Sequence, residues 1–299
     1  MKSKKIYLFT LLLISLFQFM APNVQAQTRQ IPKADTLFFD DFSGKTIDRS
    51  RWNIRITGRV FNHEQEAYVD SAATLYISHG KEAKGASGGV LVIRACYSPG
   101  YLTTQGKKLD FISGRLDTRG KEQFTYGKLT ARMKLPRGQG FWPAFWALGN
   151  GKWPSTGEID IMENVGEPNW TSVAMHGQGY SGNTPIVKRW FLPRKDGITH
   201  WHTYSVDWTR DSLVFRIDDK RVYQVTRSMV SKYGPWAYDN PKYLILNLAL
   251  GGGYPQSVNK TLIPYPGIPA KTLQLIRRGE GKVLVDWVLV TKADPVGSH

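Results

Sequence analysis

Short apolar runs separated by turn-forming residues recur along most of the chain. Val, Ile, Leu, Phe, Tyr and Trp concentrate in these runs, and clusters of Gly, Pro, Asn and Asp lie between them. This pattern predicts strands at 89–96, 126–135, 141–148, 158–163, 201–208, 212–217, 243–250 and 282–290. A hairpin turn is predicted at Asp218–Lys220 and a short helix within 226–240. Many short strands of this kind are typical of an all-β sandwich or barrel.

Residues 1–26 have a different character. Lys2, Lys4 and Lys5 precede an apolar stretch over 6–20, and small residues follow, ending at Ala26. This order is that of a secretory signal peptide, so we expect cleavage after Ala26 and export to the periplasm or out of the cell. The stretch is too short for a membrane span, and we expect no membrane association after cleavage. Residues 27–299 are then expected to form a single domain.

The chain of 299 residues is basic, with 40 Lys and Arg against 24 Asp and Glu and a net charge of +16. The basic residues are scattered and no nucleic-acid-binding motif occurs, so we expect no nucleic-acid binding. We also expect a monomer. The lone Cys96 excludes internal disulfides and a cysteine-based zinc site. Ten Trp and fourteen Tyr exceed the usual needs of a core, and surplus aromatic residues often line binding clefts.

Three acids interrupt a run that otherwise has the character of a buried strand. Glu158, Asp160 and Glu163 lie among apolar residues, where acids are rare without a partner or a task. Strand alternation puts Glu158 and Asp160 on one face and Glu163 on the other. A β-bulge around Ile161–Met162 would return Glu163 to the face of the other two.

With the bulge, the two glutamates suit hydrolysis of a glycosidic bond. On a concave sheet they would lean together to about 5 Å between carboxyl groups, near the 5–5.5 Å of retaining glycosidases. In such a pair one carboxylate attacks the anomeric carbon, while the other protonates the leaving oxygen and later activates water. Asp160 would hydrogen-bond the nucleophile. Two alternatives stay open at this point: a surface strand whose acids face solvent, and a calcium site.

The stretch Glu158–Glu163, E-I-D-I-M-E, resembles the signature of glycoside hydrolase family sixteen, in the form of its laminarinase and mixed-linkage β-glucanase branch. Other segments match the family in order: Asp40–Gly44, Asn62–Tyr68, Ser113–Arg115, Tyr126–Gly127, Trp142–Trp146, His202–Tyr204, Asn247–Gly252 and Asp286–Val288. Within Asn62–Tyr68, Glu66 and Ala67 depart from the usual residues. The resemblance implies a β-sandwich jelly roll of two antiparallel sheets with a concave substrate cleft.

The resemblance also implies an activity. It indicates a secreted, retaining endo-β-1,3(4)-glucanase, with Glu158 as nucleophile, Asp160 as assisting acid and Glu163 as general acid/base. No catalytic metal or organic cofactor is implied, and the expected partner is a β-glucan. Two alternatives stay open: the same fold acting on a sulfated algal galactan, which the positive charge motivates, and a non-catalytic glucan-binding lectin, which would not need the glutamate pair.

Several residues around the acids are candidates for binding the sugar. Trp142 and Trp146 are four residues apart and so share a strand face, and flat aromatic rings cover the apolar faces of sugars. The resemblance implies that Trp142 and Trp153 act as platforms in the cleft. Four polar candidates are Arg115, His176, Asn247 and Asn62.

One structural metal site is implied by the same resemblance. Asp286, together with backbone carbonyls near Asp41 and Gly89, is similar to the structural calcium site of the family. Calcium prefers such oxygen ligands, although Asp286 could equally be an ordinary strand residue.

Overall fold

The computed structural model describes residues 35–293; the predicted signal peptide, residues 1–26, lies outside the described residues. The strands are β1 (Thr36–Asp40), β2 (Asn53–Ile54), β3 (Glu66–Tyr68), β4 (Leu75–Ser78), β5 (Val90–Arg94), β6 (Cys96–Leu102), β7 (Lys108–Ser113), β8 (Arg115–Asp117), β9 (Gly127–Lys134), β10 (Phe141–Gly149), β11 (Glu158–Glu163), β12 (Trp170–His176), β13 (Val187–Phe191), β14 (His202–Trp208), β15 (Ser212–Ile217), β16 (Lys220–Thr226), β17 (Lys242–Leu250) and β18 (Lys282–Thr291). The helices are α1 (Arg227–Val230), α2 (Gly253–Asn259) and α3 (Ala270–Arg277), with 3₁₀ turns at Lys81–Ala83 and Arg194–Asp196. Within residues 35–293, no helix has the length and apolar character needed to cross a membrane.

Two large antiparallel sheets dominate the fold. The first has the strand order β16-β15-β14-β9-β18-β5-β4, with β1 also paired to β18. The second, which we call the cleft sheet, has the order β13-β12-β11-β10-β17-β8-β2. The main core draws fully buried side chains from both sheets, such as Leu129 of β9 and Ile159 of β11, so the sheets pack face to face. The predicted all-β sandwich of two antiparallel sheets is confirmed.

Alternation in the sequence explains which side chains enter this core. In β15, Leu213, Phe215 and Ile217 are buried, and the residues between them are partly exposed. The central strand β17 is buried at every position, because one of its faces meets the core and the other forms the floor of a cavity. Runs without polar alternation are typical of strands covered on both faces.

The structure differs from the predicted elements in three places. The strand predicted over 89–96 is split, since β5 ends at Arg94 and β6 begins at Cys96 in a separate sheet. That small sheet, β3-β7-β6, includes a parallel pair, β3 with β7, and the sequence did not predict it. The helix predicted within 226–240 is the short α1, and α2 and α3 lie where no helix was predicted.

Candidate active site

The strand β11 contains the predicted bulge. On β10, Trp146 pairs with Asp160, but the preceding residue, Phe145, pairs with Met162, so Ile161 has no partner. The register with β12 shifts over the same segment. One extra residue therefore reverses the alternation of β11 at the predicted position.

The bulge brings the three acids of β11 to one side. Glu158, Asp160 and Glu163 all line a cavity of about 460 Å³ over the cleft sheet. Ile159 and Ile161 point the other way and are 0% exposed. The alternative in which the acids face open solvent is wrong, because Asp160 is only 3% exposed.

Each glutamate is held by a different indole. Trp142 Nε1 donates to Glu163 Oε1 at 3.0 Å, and Trp153 Nε1 donates to Glu158 Oε2 at 2.9 Å. Both tryptophans were predicted at the cleft, and both line the cavity. Separate donors fix the two carboxyl groups in separate positions, as a pair with different chemical roles requires.

His176 lies at the other end of the acid cluster from Glu163. It pairs with Glu158 in the register of β11 and β12. Its Nε2 is 3.1 Å from Asp160 Oδ2 and 3.8 Å from Glu158 Oε1. His176 was predicted on the strand that neighbours the acids, and the structure puts its imidazole there, beside Asp160.

Burial makes the carboxyl groups of this cluster hard to ionise. Loss of hydration, followed by the nearby charge of Asp160, raises the pKa of Glu158 to about 8. Burial and the charge of Glu163 raise the pKa of Asp160 well above its ordinary value. Burial also raises the pKa of Glu163, and the indole of Trp142 partly opposes this effect. The cluster therefore favours the protonated form of its carboxyl groups, which is the form that a general acid needs.

The floor of the cavity is a continuous polar network. Trp146 Nε1 donates to Asn247 Oδ1 at 2.8 Å, and Asn247 Nδ2 donates to the Tyr68 hydroxyl at 3.2 Å. The guanidinium of Arg115 lies 4.8 Å from the centre of the Trp146 ring. Asn247 was predicted to bind sugar hydroxyls; its amide has one protein partner on each side and still lines the cavity.

Asn62 occupies the rim of the same cavity. Its backbone is left-handed, with φ 50°, a conformation that Asn tolerates better than most residues. Its Nδ2 donates to Glu64 Oε1 at 3.3 Å. Of the seven predicted sugar-binding residues, all except His176 line the cavity. His176 contacts Asp160, which lines it.

A second acidic pair lines the cavity and was not predicted from the sequence. Glu64 and Glu66 both line it, and Glu66 is 1% exposed with Oε2 accepting the Leu250 amide at 2.7 Å. Burial and the charge of Glu64 raise the pKa of Glu66 well above its ordinary value. The alternating sequence positions of Glu64, Glu66 and Tyr68, which would share one face if the strand began at Glu64, were the available signal. Residues 55–61 also line the cavity, and no pattern in their sequence predicted this.

The residues near Asp286 do not fit a calcium ion bound through its carboxylate. Asp286 is 0% exposed, and Oδ1 accepts the Ser87 amide at 2.7 Å. Oδ2 accepts the Ser87 hydroxyl at 3.2 Å and the Arg132 guanidinium, which also donates to the Gly85 carbonyl at 2.9 Å. The arginine thus supplies the positive charge that the ion would bring. The backbones at Asp41–Phe42 and at Gly88–Gly89 lie against each other, and Gly88 directly follows Ser87.

A second group of possible metal ligands is the acid cluster itself. Ligand atoms of Glu158, Asp160 and His176 lie within 4.8 Å of one another, and they are the only such group among residues 35–293. Asp160, whose pKa is raised well above its ordinary value, is a poor ligand, because a metal needs an ionised carboxylate. The hydrogen bond from Trp153 to Glu158 likewise fits an acid site better than a metal site.

Known proteins share both the sequence pattern and the fold. A profile of the family described as Glycosyl hydrolases family 16 matches residues 62–263. A β-glucanase of Rhodothermus marinus is 29% identical over 266 residues, covering 85% of this chain and 88% of that protein. The laminarinase catalytic domain of Thermotoga maritima superposes with TM-score 0.72 at 29% identity, covering 87% of this chain and 98% of that one. The endo-β-1,3-glucanase of Pyrococcus furiosus superposes with TM-score 0.72 at 31% identity, covering 86% and 94%.

Proposed function

This chain belongs to glycosyl hydrolase family 16, and from that premise we propose that it cleaves β-glucans internally, with 1,3-linked or mixed 1,3/1,4-linked chains as substrates. The single observation that carries the proposal is the bulge of β11, which brings Glu158 and Glu163 to one cavity with Asp160 between them. The relatives named as glucanases support the choice of substrate.

The first step forms a covalent sugar–enzyme bond. A Glu158 carboxylate oxygen attacks the anomeric carbon, and the bond from that carbon to the leaving sugar oxygen breaks. Glu163 gives its proton to this oxygen, which leaves as a hydroxyl group. Burial raises the pKa of Glu163, which favours the protonated form that this step needs.

The second step releases the sugar. The Glu163 carboxylate takes a proton from a water molecule, and the oxygen of that water attacks the anomeric carbon. The bond between the anomeric carbon and Glu158 breaks at the same time. Two inversions at one carbon give a product with the original configuration. Glu163 is protonated again and Glu158 is again a carboxylate, so the cycle closes.

Asp160 enables Glu158 to act as the nucleophile. Because the pKa of Asp160 is raised well above its ordinary value, its carboxyl group keeps a proton and can donate it in a hydrogen bond to Glu158. A neutral Asp160 no longer opposes the ionisation of Glu158, and a donated hydrogen bond favours the carboxylate form. His176, 3.1 Å from Asp160, orients that carboxyl group.

The sugar chain lies along the cavity in this proposal. Trp142 and the half-exposed Trp153 present rings beside the two glutamates, where they can cover sugar faces. Arg115 and Asn62 offer polar groups at the cavity wall. The N-terminal sequence supports export, so the substrate would be met outside the cytoplasm.

The experiment is an assay of reducing ends released from laminarin and lichenan by the protein beginning at Gln27. We expect activity on laminarin, and we expect Glu158→Ser to bind laminari-oligosaccharides without cleaving them. Absence of cleavage of both glucans by the wild-type protein would refute the proposed substrate. Wild-type turnover by Glu158→Ser would refute the assignment of the nucleophile.

One observation favours a second candidate substrate, a sulfated galactan. Arg55, Arg59 and Arg115 line the same cavity as the acids, and guanidinium groups pair well with sulfate oxygens. Arg55 already has a carboxylate partner, with its Nε 3.4 Å from Asp117 Oδ2. Agar, porphyran and carrageenan therefore belong in the same assay. Activity confined to the sulfated chains would favour this candidate over the glucanase.

A further inference from the structure

The nucleophile depends on a loop that is itself exposed. Trp153, which donates to Glu158, belongs to the segment 150–157 between β10 and β11, and this residue is 46% exposed. An indole in this position holds a carboxyl group in place only if its own loop is fixed. The contacts that fix the 150–157 segment therefore bear on the chemistry of Glu158.

A buried lysine makes one of these contacts. Lys242, the first residue of β17, is 0% exposed. Its Nζ donates to the Thr156 carbonyl at 2.6 Å, to the Ala237 carbonyl at 3.0 Å and to Asn240 Oδ1 at 3.3 Å. Each of the three ammonium N–H groups thus has an acceptor.

The surroundings of Lys242 are unusual for a buried lysine. Within the described part of the chain, no carboxylate lies within ion-pair distance of its Nζ. The rings of Tyr238 and Trp208 lie 5.2 Å and 5.7 Å away. Burial lowers the pKa of Lys242 to about 7, and the neutral amine still has two N–H groups to donate. Burying an ammonium group is costly, so a leucine or methionine would be expected here if packing were all that mattered.

The hydrogen bonds of Lys242 join two segments near Glu158, one containing Thr156 and the other containing Ala237. Thr156 precedes Glu158 by two residues, and Ala237 precedes Tyr238, whose hydroxyl donates to the His176 carbonyl at 3.0 Å. The two segments touch closely, because a Cβ added to Gly157 would lie 2.3 Å from the Ala237 carbonyl oxygen. One ammonium group thus ties the loop that carries Trp153 to the segment that supports His176.

We propose that Lys242 is a positioning residue for Glu158. By holding the Thr156 carbonyl it fixes the 150–157 segment, and through Trp153 it sets the position and the ionisation of the nucleophile. The Trp153 hydrogen bond favours the carboxylate form of Glu158, so a displaced Trp153 makes Glu158 harder to ionise. The inference rests on the proposed function, in which Glu158 attacks the sugar.

The test compares Lys242→Met with Trp153→Phe on laminarin. We expect Lys242→Met to lower kcat about tenfold with KM within about twofold, since small displacements of reacting groups are costly. The acid limb of the pH profile of kcat/KM reports ionisation of the nucleophile, and it should move to higher pH in both variants. The double variant should be no slower than Trp153→Phe alone, because both changes break one linkage.

Lys121→Met is the matched control. Lys121 also donates to main-chain carbonyls, those of Arg49 and Trp52, but neither carbonyl belongs to the 150–157 segment that carries the donor to Glu158. The control should keep the wild-type kcat and the wild-type pH profile. If Lys242→Met does not fold, Asn240→Ala, which removes one acceptor of the same group, should shift the pH limb in the same direction by a smaller amount.

Three outcomes would overturn the inference: an unmoved acid limb, a change in KM alone, or losses that multiply in the double variant. If the wild-type protein cleaves no glucan, the proposed function fails separately. The Lys242 inference is then tested by fluorescence. The fluorescence of Trp153 is the difference in emission between the wild-type protein and Trp153→Phe, and it should change with pH as Glu158 ionises. Its midpoint should rise in Lys242→Met, and an unchanged midpoint would contradict the proposal.

Discussion

Replacing Glu158 by glutamine should change the pH dependence of stability. Burial raises the folded-state pKa of Glu158 from 4.5 to about 8. A carboxyl group with a raised pKa contributes stability that is fully present below about pH 4.5 and is lost as pH rises through 8. Glu158→Gln cannot ionise, so it keeps this stability at alkaline pH while the wild-type protein loses it.

The size of the effect follows from the shift in pKa. One pKa unit corresponds to about 1.4 kcal/mol, which gives an upper limit on the order of 5 kcal/mol for Glu158. Its side chain retains 16% exposure in the cavity, and water there screens part of the charge, so we expect about 2 kcal/mol between pH 5 and pH 8. At pH 8 the variant should be the more stable protein.

The assay is urea unfolding of both proteins at several pH values between 5 and 8. The difference in unfolding free energy, variant minus wild type, should increase with pH. Glu280→Gln is the control, because Glu280 is a surface glutamate whose pKa is lowered by its pair with Arg278, and its difference should not increase. A constant difference for Glu158→Gln would refute the claim that burial suppresses the ionisation of Glu158.

Four further predictions concern Asp286, Glu163 and Glu66. EDTA should leave the wild-type melting temperature unchanged, and a lower melting temperature in EDTA would contradict the assignment of Arg132 as the partner of Asp286. Arg132→Met should lower the unfolding free energy by about 3 kcal/mol, because it leaves the buried Asp286 charge unpaired. Trp142→Phe removes the donor to Glu163, so the alkaline limb of the kcat/KM profile should move to higher pH; an unmoved limb would argue against Glu163 as the acid. Burial and the charge of Glu64 raise the pKa of Glu66 well above its ordinary value, so the always neutral Glu66→Gln should retain activity within about twofold. A large loss of activity would contradict this prediction.

The acid cluster could be predicted from the sequence because it depends on local rules. Strict alternation in β11 would put Glu163 on the face opposite Glu158 and Asp160, and a single bulge was the smallest change that put all three on one face. The same parity rule placed Trp142 and Trp146 together. The strands of the two sheets were predictable for a similar reason, since each apolar run is bounded by turn residues.

The features that the sequence did not predict depend on residues far apart in the chain. Arg132 reaches Asp286 across the first sheet, and nothing local to either residue indicates the pair. Asn247 of β17 reaches Tyr68 of β3, which belongs to a different sheet. Lys242 looks like an ordinary lysine at the start of a strand, and only the fold shows the carbonyls that surround its ammonium group.

The central claim is that the bulge of β11 places the carboxyl groups of Glu158 and Glu163 on either side of one glycosidic bond, with Glu158 as the attacking group. Its most direct test is to trap the covalent intermediate with a fluorinated glucan donor, whose fluorine slows release, and to locate the sugar by mass spectrometry of peptides. We predict one added glycosyl unit on Glu158 in the wild-type protein and in Glu163→Gln. A label on Glu163, or rapid turnover with no label and a product of inverted configuration, would contradict it.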